Sequence, residues 1–505
     1  MNQLDLAPPL AHTIDFVADA VEARQLTTEL ILRLQDAGAI RSHRASDAAT
    51  SWDCVLANGG EGRLVLAAPA RPDAVADRSY RLVATVEHGT AAESAAFFEV
   101  VQRLPFTVTE SETATSELPI TAGLPARWPD KPLADIAVLL TIHHMTDFLV
   151  LVDSLVALGA DPAHLTVIDK EYPYANSRRV DAHLVSRRGI TVWRYSELRT
   201  GIEDHIARAV KAGKRSIVMD DGGYVLPVVI RELPDRIGHF IGLVEQTMSG
   251  IWKLEGLELT IPLFSVAESE MKGAIESYGI ADAAIRNTLR LLPNEKFEGQ
   301  AALVLGFGRI GSEVARILRA RRLRVAVYDT AITRLVNAHE EGFTTHRSLD
   351  ELVASHQPKL IVGCAGRGSF GLEQARRLRD RAYLVSTTSR DYEFGLAGLR
   401  EGSSAVTDLG VTGTSYQLAD GPEVLVIGHG MPINFHFAES LSNRYVDLVL
   451  AGLIVGAIHL ACGDELLQPG RNLAATNDIL TRSGIIDDYY RLYGPVDAAV
   501  DEPRG

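Results

Sequence analysis

The segment Gly306-Phe307-Gly308-Arg309-Ile310-Gly311 constrains this chain more than any other feature. An apolar run, Ala301–Leu305, precedes it, and a helical pattern reaching Ala320 follows. A further strand-like run, Arg324–Tyr328, then ends on Asp329. Such a glycine pattern alone says little. Between a strand and a helix, with an acid closing the next strand, it reads as the turn of a dinucleotide-binding βαβ unit. Gly306 permits the tight turn, Gly308 lets the main chain approach a pyrophosphate, and Gly311 lets the helix pack on the strand. The helix start then offers free N–H groups and a positive dipole end to the phosphates. Asp329 would accept from the adenosine ribose hydroxyls and repel a 2′-phosphate, so the expected cofactor is NAD rather than NADP. Arg309 and Arg334 are near enough to soften that preference. Arg309 and Ile310, within the loop, are counted with the cofactor site. So are Ala365 and Gly366, which follow the strand-like run Lys359–Cys364.

The same alternation extends on both sides. Ile136–Thr141, Leu165–Asp169, Thr191–Arg194 and Ser216–Asp220 read as buried strands, with helical stretches such as Thr146–Leu158 between them. After the glycine unit come strands at Lys359–Cys364, Ala382–Thr387 and Glu423–Ile427, and a long last helix over Ser440–Leu460. The most apolar stretch, Leu448–Ile458, is too short to span a bilayer and reads as a buried helix.

Residues 1–127 have a different texture. Val17–Ala37 has helical periodicity, and Trp52–Leu56, Arg63–Ala67, Tyr80–Glu87 and Phe106–Thr109 read as strands, with a turn at Asn58-Gly59-Gly60. The polar stretch Glu110–Glu117 and the proline-containing run to Pro132 read as a linker. At 505 residues the chain has room for about three domains.

Charge and cysteine content exclude some functions. The net charge of −15 comes without a basic stripe, which argues against a nucleic-acid partner. The three cysteines, Cys54, Cys364 and Cys462, are far apart and odd in number, which fits neither a disulfide framework nor a CxxC metal site. No metal is expected. With no signal-peptide pattern after Met1, the expected location is the cytoplasm.

Segments flanking the glycine unit resemble the S-adenosylhomocysteine hydrolase (adenosylhomocysteinase) family, in the same order. They are His144-Met145-Thr146; Asp220-Asp221-Gly222-Gly223; Gly242-Leu243-Val244-Glu245-Gln246-Thr247-Met248-Ser249-Gly250; and Ser265-Val266-Ala267-Glu268-Ser269-Glu270-Met271-Lys272, running on to Tyr278-Gly279. Gly428–Arg444 resembles the family's second hinge, and Asp488-Tyr489-Tyr490-Arg491 its C-terminal tail. The likeness covers residues 133–494 and leaves the first 127 outside.

The resemblance implies an α/β architecture: a Rossmann-type NAD domain (283–432) inserted in a second doubly wound substrate domain (128–282 with 433–472). A small α+β N-terminal module (1–127) precedes them and a tail (473–505) follows. It further implies a homo-oligomer, dimer or tetramer, because the family's tail reaches a neighbouring subunit's cofactor. The implied chemistry is oxidation of a ribose 3′-hydroxyl by bound NAD, loss of the 5′ substituent, addition of water and return of the electrons.

The residues matching that machinery are mixed. Lys272 falls on the active-site lysine, and His144 and Asp221 on the pair beside the 5′ position, where histidine suits proton transfer in both directions. Thr146 falls on a substrate contact, Thr247 and Ser249 on cofactor contacts, and Tyr490 on the tail tyrosine. Glu276 stands where the family has aspartate. Gln246 replaces the ribose-binding glutamate, and an amide can hydrogen-bond hydroxyls but not hold a proton or charge. Ser389 replaces a histidine at the substrate, Phe148 an acid that reads the purine, Ile486 the tail lysine, and Met431 or Pro432 a histidine near the adenine. Lys170-Glu171-Tyr172-Pro173-Tyr174 is unlike the family's adenine-side loop. The expected function is therefore an NAD-dependent, adenosylhomocysteinase-like enzyme for a nucleoside or nucleoside thioether of altered specificity. The alternatives are a sugar or nucleoside oxidoreductase or epimerase, and a non-catalytic NAD- or nucleoside-sensing protein.

Overall fold

The computed structural model describes residues 11–46, 48, 50–67, 78–172, 174, 176–388, 391–436 and 442–495. The chain forms two compact units, residues 1–214 and 215–505.

The first unit opens with β1 (Ala11–Ala18), α1 (Ala20–Asp36), β2 (Ile40–Ala45), β3 (Ser51–Leu56), β4 (Glu61–Ala67), β5 (Arg78–His88) and α2 (Ala91–Gln102). Its antiparallel sheet has the order β1-β5-β4-β3-β2. Alternate residues, such as Trp52, Cys54 and Leu56 of β3, join Leu30 and Leu34 of α1 and Phe97 of α2 in one apolar cluster. The helices therefore cover one sheet face. The Asp19 carboxylate caps α1, accepting from the Val21 and Glu22 N–H groups. That cap stops the helix at Ala20, so Val17 and Ala18 belong to a strand and not to the expected helix. The Asn58–Gly60 turn is present, with Gly59 at φ 98° and the Leu56 N–H bonded to the Gly60 carbonyl.

Phe106–Thr109 is not the expected strand. Thr107 Oγ1 accepts from the Glu110 N–H while the Glu110 carboxylate accepts from the Thr107 N–H, a reciprocal cap that starts α3 (Val108–Glu117). Nor is Glu110–Pro132 a linker: α4 (Pro119–Gly123) follows, and both helices pack on α5. There the chain becomes parallel α/β, with β6 (Ile136–Thr141), α5 (Thr146–Ala157), β7 (Leu165–Asp169), α6 (Ser177–Arg188), β8 (Thr191–Arg194) and α7 (Leu198–Lys211). β7 pairs in parallel with β6 and β8. On α6, the buried Arg179 donates to both Glu110 oxygens at 3.0 and 2.7 Å and to the carbonyls of Leu104 and Pro105. Its guanidinium lies 4.2 Å from the Phe106 ring centre.

The second unit begins with β9 (Arg215–Asp220), α8 (Val225–Glu232), β10 (Phe240–Glu245), α9 (Met248–Leu254) and β11 (Pro262–Ser265), whose strands are parallel. The long α10 (Glu270–Leu291) leads into an eight-stranded sheet. Its elements are β12 (Ala301–Leu305), α11 (Arg309–Ala320), β13 (Arg324–Tyr328), α12 (Ile332–Glu340), β14 (Thr344–Thr345), α13 (Leu349–His356), β15 (Leu360–Gly363), α14 (Leu372–Ala375), β16 (Ala382–Ser386), α15 (Leu396–Glu401), β17 (Ser403–Asp408), β18 (Gly413–Leu418) and β19 (Glu423–Ile427). The strand order is β14-β13-β12-β15-β16-β19-β18-β17, antiparallel only at its last two pairings.

The chain then returns through α16 (Asn443–Ala461), which packs on β9 and β10. The eight-stranded sheet is thus an insertion within this unit. By length and hydropathy α16 could cross a membrane, yet 83 % of its most apolar stretch is buried. The expected start at Ser440 lies outside the described residues. Asn287 of α10 ties the outgoing and returning segments by donating to the Ile433 and Asn434 carbonyls. The last elements are β20 (Gly470–Arg471), beside β11, α17 (Leu473–Arg482) and α18 (Ile485–Tyr493).

Candidate active site

The dinucleotide turn is built as the sequence reading requires. Gly306 sits at φ 95°, and a Cβ there would come within 3.0 Å of the Cys364 carbonyl. A Cβ on Gly311 would lie 1.9 Å from the Gly306 carbonyl, so α11 can pack this close only on glycine. A Cβ on Gly308 would meet nothing nearer than Arg334 Nη1 at 3.9 Å, leaving the main chain open to a ligand. Asp329, at the end of β13, is 7 % exposed. Its Oδ2 accepts from the Phe307 N–H at 2.7 Å and its Oδ1 from the Ala331 N–H at 2.8 Å. This binds the acid to the loop and leaves further lone pairs for ribose hydroxyls. Arg334 Nη1 lies 3.8 Å from Oδ2. These residues fit a dinucleotide. Ile310 is half-buried, while the exposed Arg309 lies over Gly273 with Nη1 3.5 Å from the Ser269 carbonyl.

Arg309 thus reaches the start of α10, where Lys272 sits. Ser269 caps that helix, its hydroxyl accepting from the Lys272 N–H. Lys272 Nζ is 3.0 Å from Glu276 Oε2, one helical turn on, and donates to the Gln246 carbonyl. Glu276 is buried, and burial pushes its carboxyl above the usual range; Lys272 opposes this and Asp221 adds to it. Gln246 Oε1 is sealed from solvent and has no hydrogen-bond partner. Asp221, Gln246, Lys272 and Glu276 therefore share one neighbourhood, beside the glycine turn.

Supporting groups outside the expected set hold this region. Glu245, fully buried, accepts from the N–H groups of Gly222, Gly223 and Thr247 and from Thr247 Oγ1. Asp220 Oδ2 accepts from the Tyr224 and Val225 N–H groups. Thr247 stands at the N-cap position of α9 with its hydroxyl committed to Glu245, and Ser249 on that helix is half-buried. Glu393, also fully buried, accepts from the N–H groups of Ala365 and Gly366 and from the hydroxyls of Ser369 and Thr388. The amides of Ala365 and Gly366 are thus bound to a carboxylate. Glu393 belongs to no motif, and Glu245, though inside the Gly242–Gly250 segment, was not singled out there; only the turns they brace could have pointed to their roles.

In the first unit, His144 is 2 % exposed at the turn after β6. Its Nδ1 is 2.6 Å from Asp181 Oδ1 and 3.7 Å from Asp169 Oδ1. These three groups are of metal-ligating types, but the 2.6 Å contact has the length of a hydrogen bond with a shared proton. Phe148 is fully buried and stacks on the imidazole, centroids 5.2 Å apart and planes 8° from parallel. Thr146, the first residue of α5, is half-buried. Nearby, His143 Nδ1 is 2.6 Å from Tyr174 Oη and its Nε2 3.2 Å from Lys170 Nζ.

Ser389 lies outside the described residues. Tyr490 is 61 % exposed on α18, which packs on α16. Near the second hinge, His429 is held by Thr414 Oγ1 and the Gly410 carbonyl.

Residues 279–388 match the family model of the D-isomer specific 2-hydroxyacid dehydrogenase NAD-binding domain. With the geometry above, this makes the chain an NAD-binding α/β protein of Rossmann type. Over a longer span it resembles the adenosylhomocysteinases as a divergent relative. It is 26 % identical to adenosylhomocysteinase of Gloeothece citriformis over 367 residues, 71 % of this chain and 83 % of that one. It is equally 26 % identical to S-inosyl-L-homocysteine hydrolase of Methanopyrus kandleri over 369 residues, 71 % and 84 % of the two chains. Among solved structures, a 2-hydroxyacid dehydrogenase of Ketogulonicigenium vulgare matches with 14 % identity and a TM-score of 0.38, covering 67 % of this chain and 99 % of that one.

Proposed function

We propose that this protein is an NAD-dependent enzyme that acts on a nucleoside or nucleoside thioether by 3′-oxidation followed by elimination or hydration, with a specificity changed from that of adenosylhomocysteinase. The observation that carries the proposal is the pair of half-buried Lys272 and buried Glu276 beside the partnerless Gln246 Oε1, next to the glycine turn. A sealed acceptor asks for a donor, and a sugar hydroxyl supplies one.

NAD, when bound, supplies the oxidation of the hydroxyl and its later reduction. Lys272 takes and returns the hydroxyl proton. Glu276 holds the amine in place and, with its raised proton affinity, exchanges protons with it. Gln246 accepts from a second ribose hydroxyl. Asp221 exchanges protons with the leaving group and water at the 5′ end, and the family resemblance gives His144 of the first unit the same kind of transfer. The changed specificity rests on Phe148, a hydrocarbon ring where the family reads the purine with an acid. The Methanopyrus relative, named for an inosine thioether, shows the base varying among similar chains.

The division into 1–127, 128–282 with 433–472, 283–432 and 473–505, a cytoplasmic location, and a homo-oligomer joined through the tail and Tyr490 belong to the same reading. The test is incubation with S-adenosylhomocysteine, adenosine, inosine and other nucleosides, following NADH absorbance and thiol release. NADH formation with one of them, abolished in Lys272→Ala, supports the proposal; silence with all of them overturns it. Gln246, unable to hold a proton, favours one second reading, a sugar oxidoreductase or epimerase that uses the redox half alone. Turnover of a non-nucleoside sugar without thiol release would select it.

A further inference from the structure

Asp181 lies in α6, on a stretch without any motif, 37 positions from the histidine it meets. Three constraints converge on that histidine. On one edge, His144 Nδ1 is 2.6 Å from Asp181 Oδ1, with Asp169 Oδ1 behind it at 3.7 Å. Against one face lies the parallel ring of Phe148. On the other edge, Nε2 is sealed from solvent and has no hydrogen-bond partner. An ionised carboxylate only accepts, so a 2.6 Å bond to it places the proton on Nδ1 and, in the neutral ring, the lone pair on Nε2. Turning the ring over would break that bond and leave a half-buried carboxylate without its donor.

We propose that Asp181 is the positioning residue of His144: it fixes the Nδ1–H tautomer and thereby makes Nε2 the atom that exchanges protons with substrate and water. The inference rests on the reading of His144 as a proton-transfer group. In the transfer, Nε2 takes the proton of a water or hydroxyl O–H; that bond breaks, its electron pair stays on oxygen, and the imidazolium is stabilised by the Asp181 carboxylate. The reverse step delivers the proton to the departing atom. The charged groups that face the imidazole are Asp181 from α6, Asp169 from β7 and Lys170 just after it; α5 contributes the uncharged Phe148 ring. Burial pushes the imidazole down; the bond and charge of Asp181 and the charge of Asp169 outweigh it, against Lys170, and hold it above its ordinary value. The ring thus gains a proton more readily than a free imidazole, which suits a group that takes and returns protons.

The test is NMR of the full-length, NAD-loaded protein carrying isotope-labelled histidine, with His144→Gln to assign the signal. In the unsubstituted protein His144 should show a protonated Nδ1 and an unprotonated Nε2 in its neutral form. Asp181→Asn should mix the tautomers and lower the titration midpoint, and Asp181→Glu should restore part of both. On a turned-over nucleoside, Asp181→Asn should lower kcat by about 10²–10⁴-fold, the range lost with a general acid–base group, with little change in KM. A protonated Nε2 in the neutral ring of the unsubstituted protein, or an unchanged tautomer and midpoint in Asp181→Asn, overturns the proposal. The first of these needs no variant to fold. Absence of turnover with every nucleoside would overturn the proposed function alone, since the tautomer is read without substrate.

Discussion

Replacing Asp329 by asparagine tests the cofactor crevice at its most specific point. The carboxylate uses Oδ2 for the buried Phe307 N–H and Oδ1 for the Ala331 N–H, at 2.7 and 2.8 Å. Asparagine has the same shape but one acceptor, so its NH₂ must face one of these two donors. The oxygen will turn to the buried Phe307 N–H, and the Ala331 N–H loses its partner. Leaving a fully buried donor unmet costs about 1–3 kcal/mol, and this N–H is only part-buried, so the loss falls at the low end. That strain falls on the protein with or without ligand, so it affects stability more than affinity. The affinity term comes from the ribose. Hydrogen bonds to a charged group contribute about 1.5–3 kcal/mol and neutral ones about 0.5–1.5, so two hydroxyls lose roughly 2 kcal/mol together. NAD should bind about 30-fold more weakly. NADP should not weaken in parallel, because its 2′-phosphate would meet Arg334, 3.8 Å from Oδ2, without the opposing negative charge. Calorimetric titration of cofactor-free protein with each dinucleotide reads both constants. NAD affinity within about threefold of the unsubstituted protein, with NADP still excluded, would refute the argument, since it would mean the ribose never meets this acid.

Four further outcomes follow from the same geometry. Glu276→Gln, which keeps the shape but not the charge beside Lys272, should cut steady-state turnover of the substrate by about 10²-fold or more while NAD stays bound, measured as kcat and as cofactor released on denaturation. A chain ending at Ser483 should retain NAD poorly and lose its oligomeric state on size-exclusion chromatography; normal retention would sink the tail reading. His183 is buried and pushed down to about 4 chiefly by desolvation, so its native form is the neutral one. Its contribution to stability is present above about 6.5 and lost as pH falls towards 4, and denaturant titrations should show His183→Leu flattening that limb. Burial pushes the Cys54 and Cys364 thiols up to about 11 and about 12, while Cys462 is exposed. Alkylation followed by mass spectrometry should therefore label Cys462 first.

What the sequence revealed depended on whether a residue works through its neighbours in the chain or through distant ones. The glycine turn and Asp329 form one local unit, and β12, α11 and β13 lie where the pattern placed them. The buried strands Ile136–Thr141, Leu165–Asp169 and Glu423–Ile427, inside their sheets, were equally plain, since both faces demand apolar residues. The N-terminal module was harder to read. Residues 11–16 of β1 carried no expectation, and Val17 and Ala18 fell within the expected helix, although Asp19 is a usable N-cap signal. Thr107-Val108-Thr109-Glu110 also holds a capping box, but α3 buries only Ala114 and so has no apolar stripe to announce it. In the site, Lys272, Glu276 and Asp221 were readable because they sit in motifs. Asp181 and Glu393 were not, since each serves a partner brought to it by folding; Glu245 lies within the Gly242–Gly250 segment, but the Gly222 and Gly223 amides it braces come from a distant turn.

The clamp around Arg179 changes what the first 127 residues are for. This cation sits two positions before Asp181 on α6, and its bonds go to Leu104, Pro105 and Glu110, all contributed by the N-terminal segment. Removing that segment would strip a buried guanidinium of its counter-charge and its carbonyl acceptors at once, a loss of about 3–5 kcal/mol for a broken buried pair. Helix α6 would have to shift to rehydrate it, and Asp181 would move with the helix. If Asp181 fixes the histidine as proposed, the Leu104–Glu110 stretch acts as a splint for that partner, and a chain lacking it should show the mixed tautomers expected of Asp181→Asn.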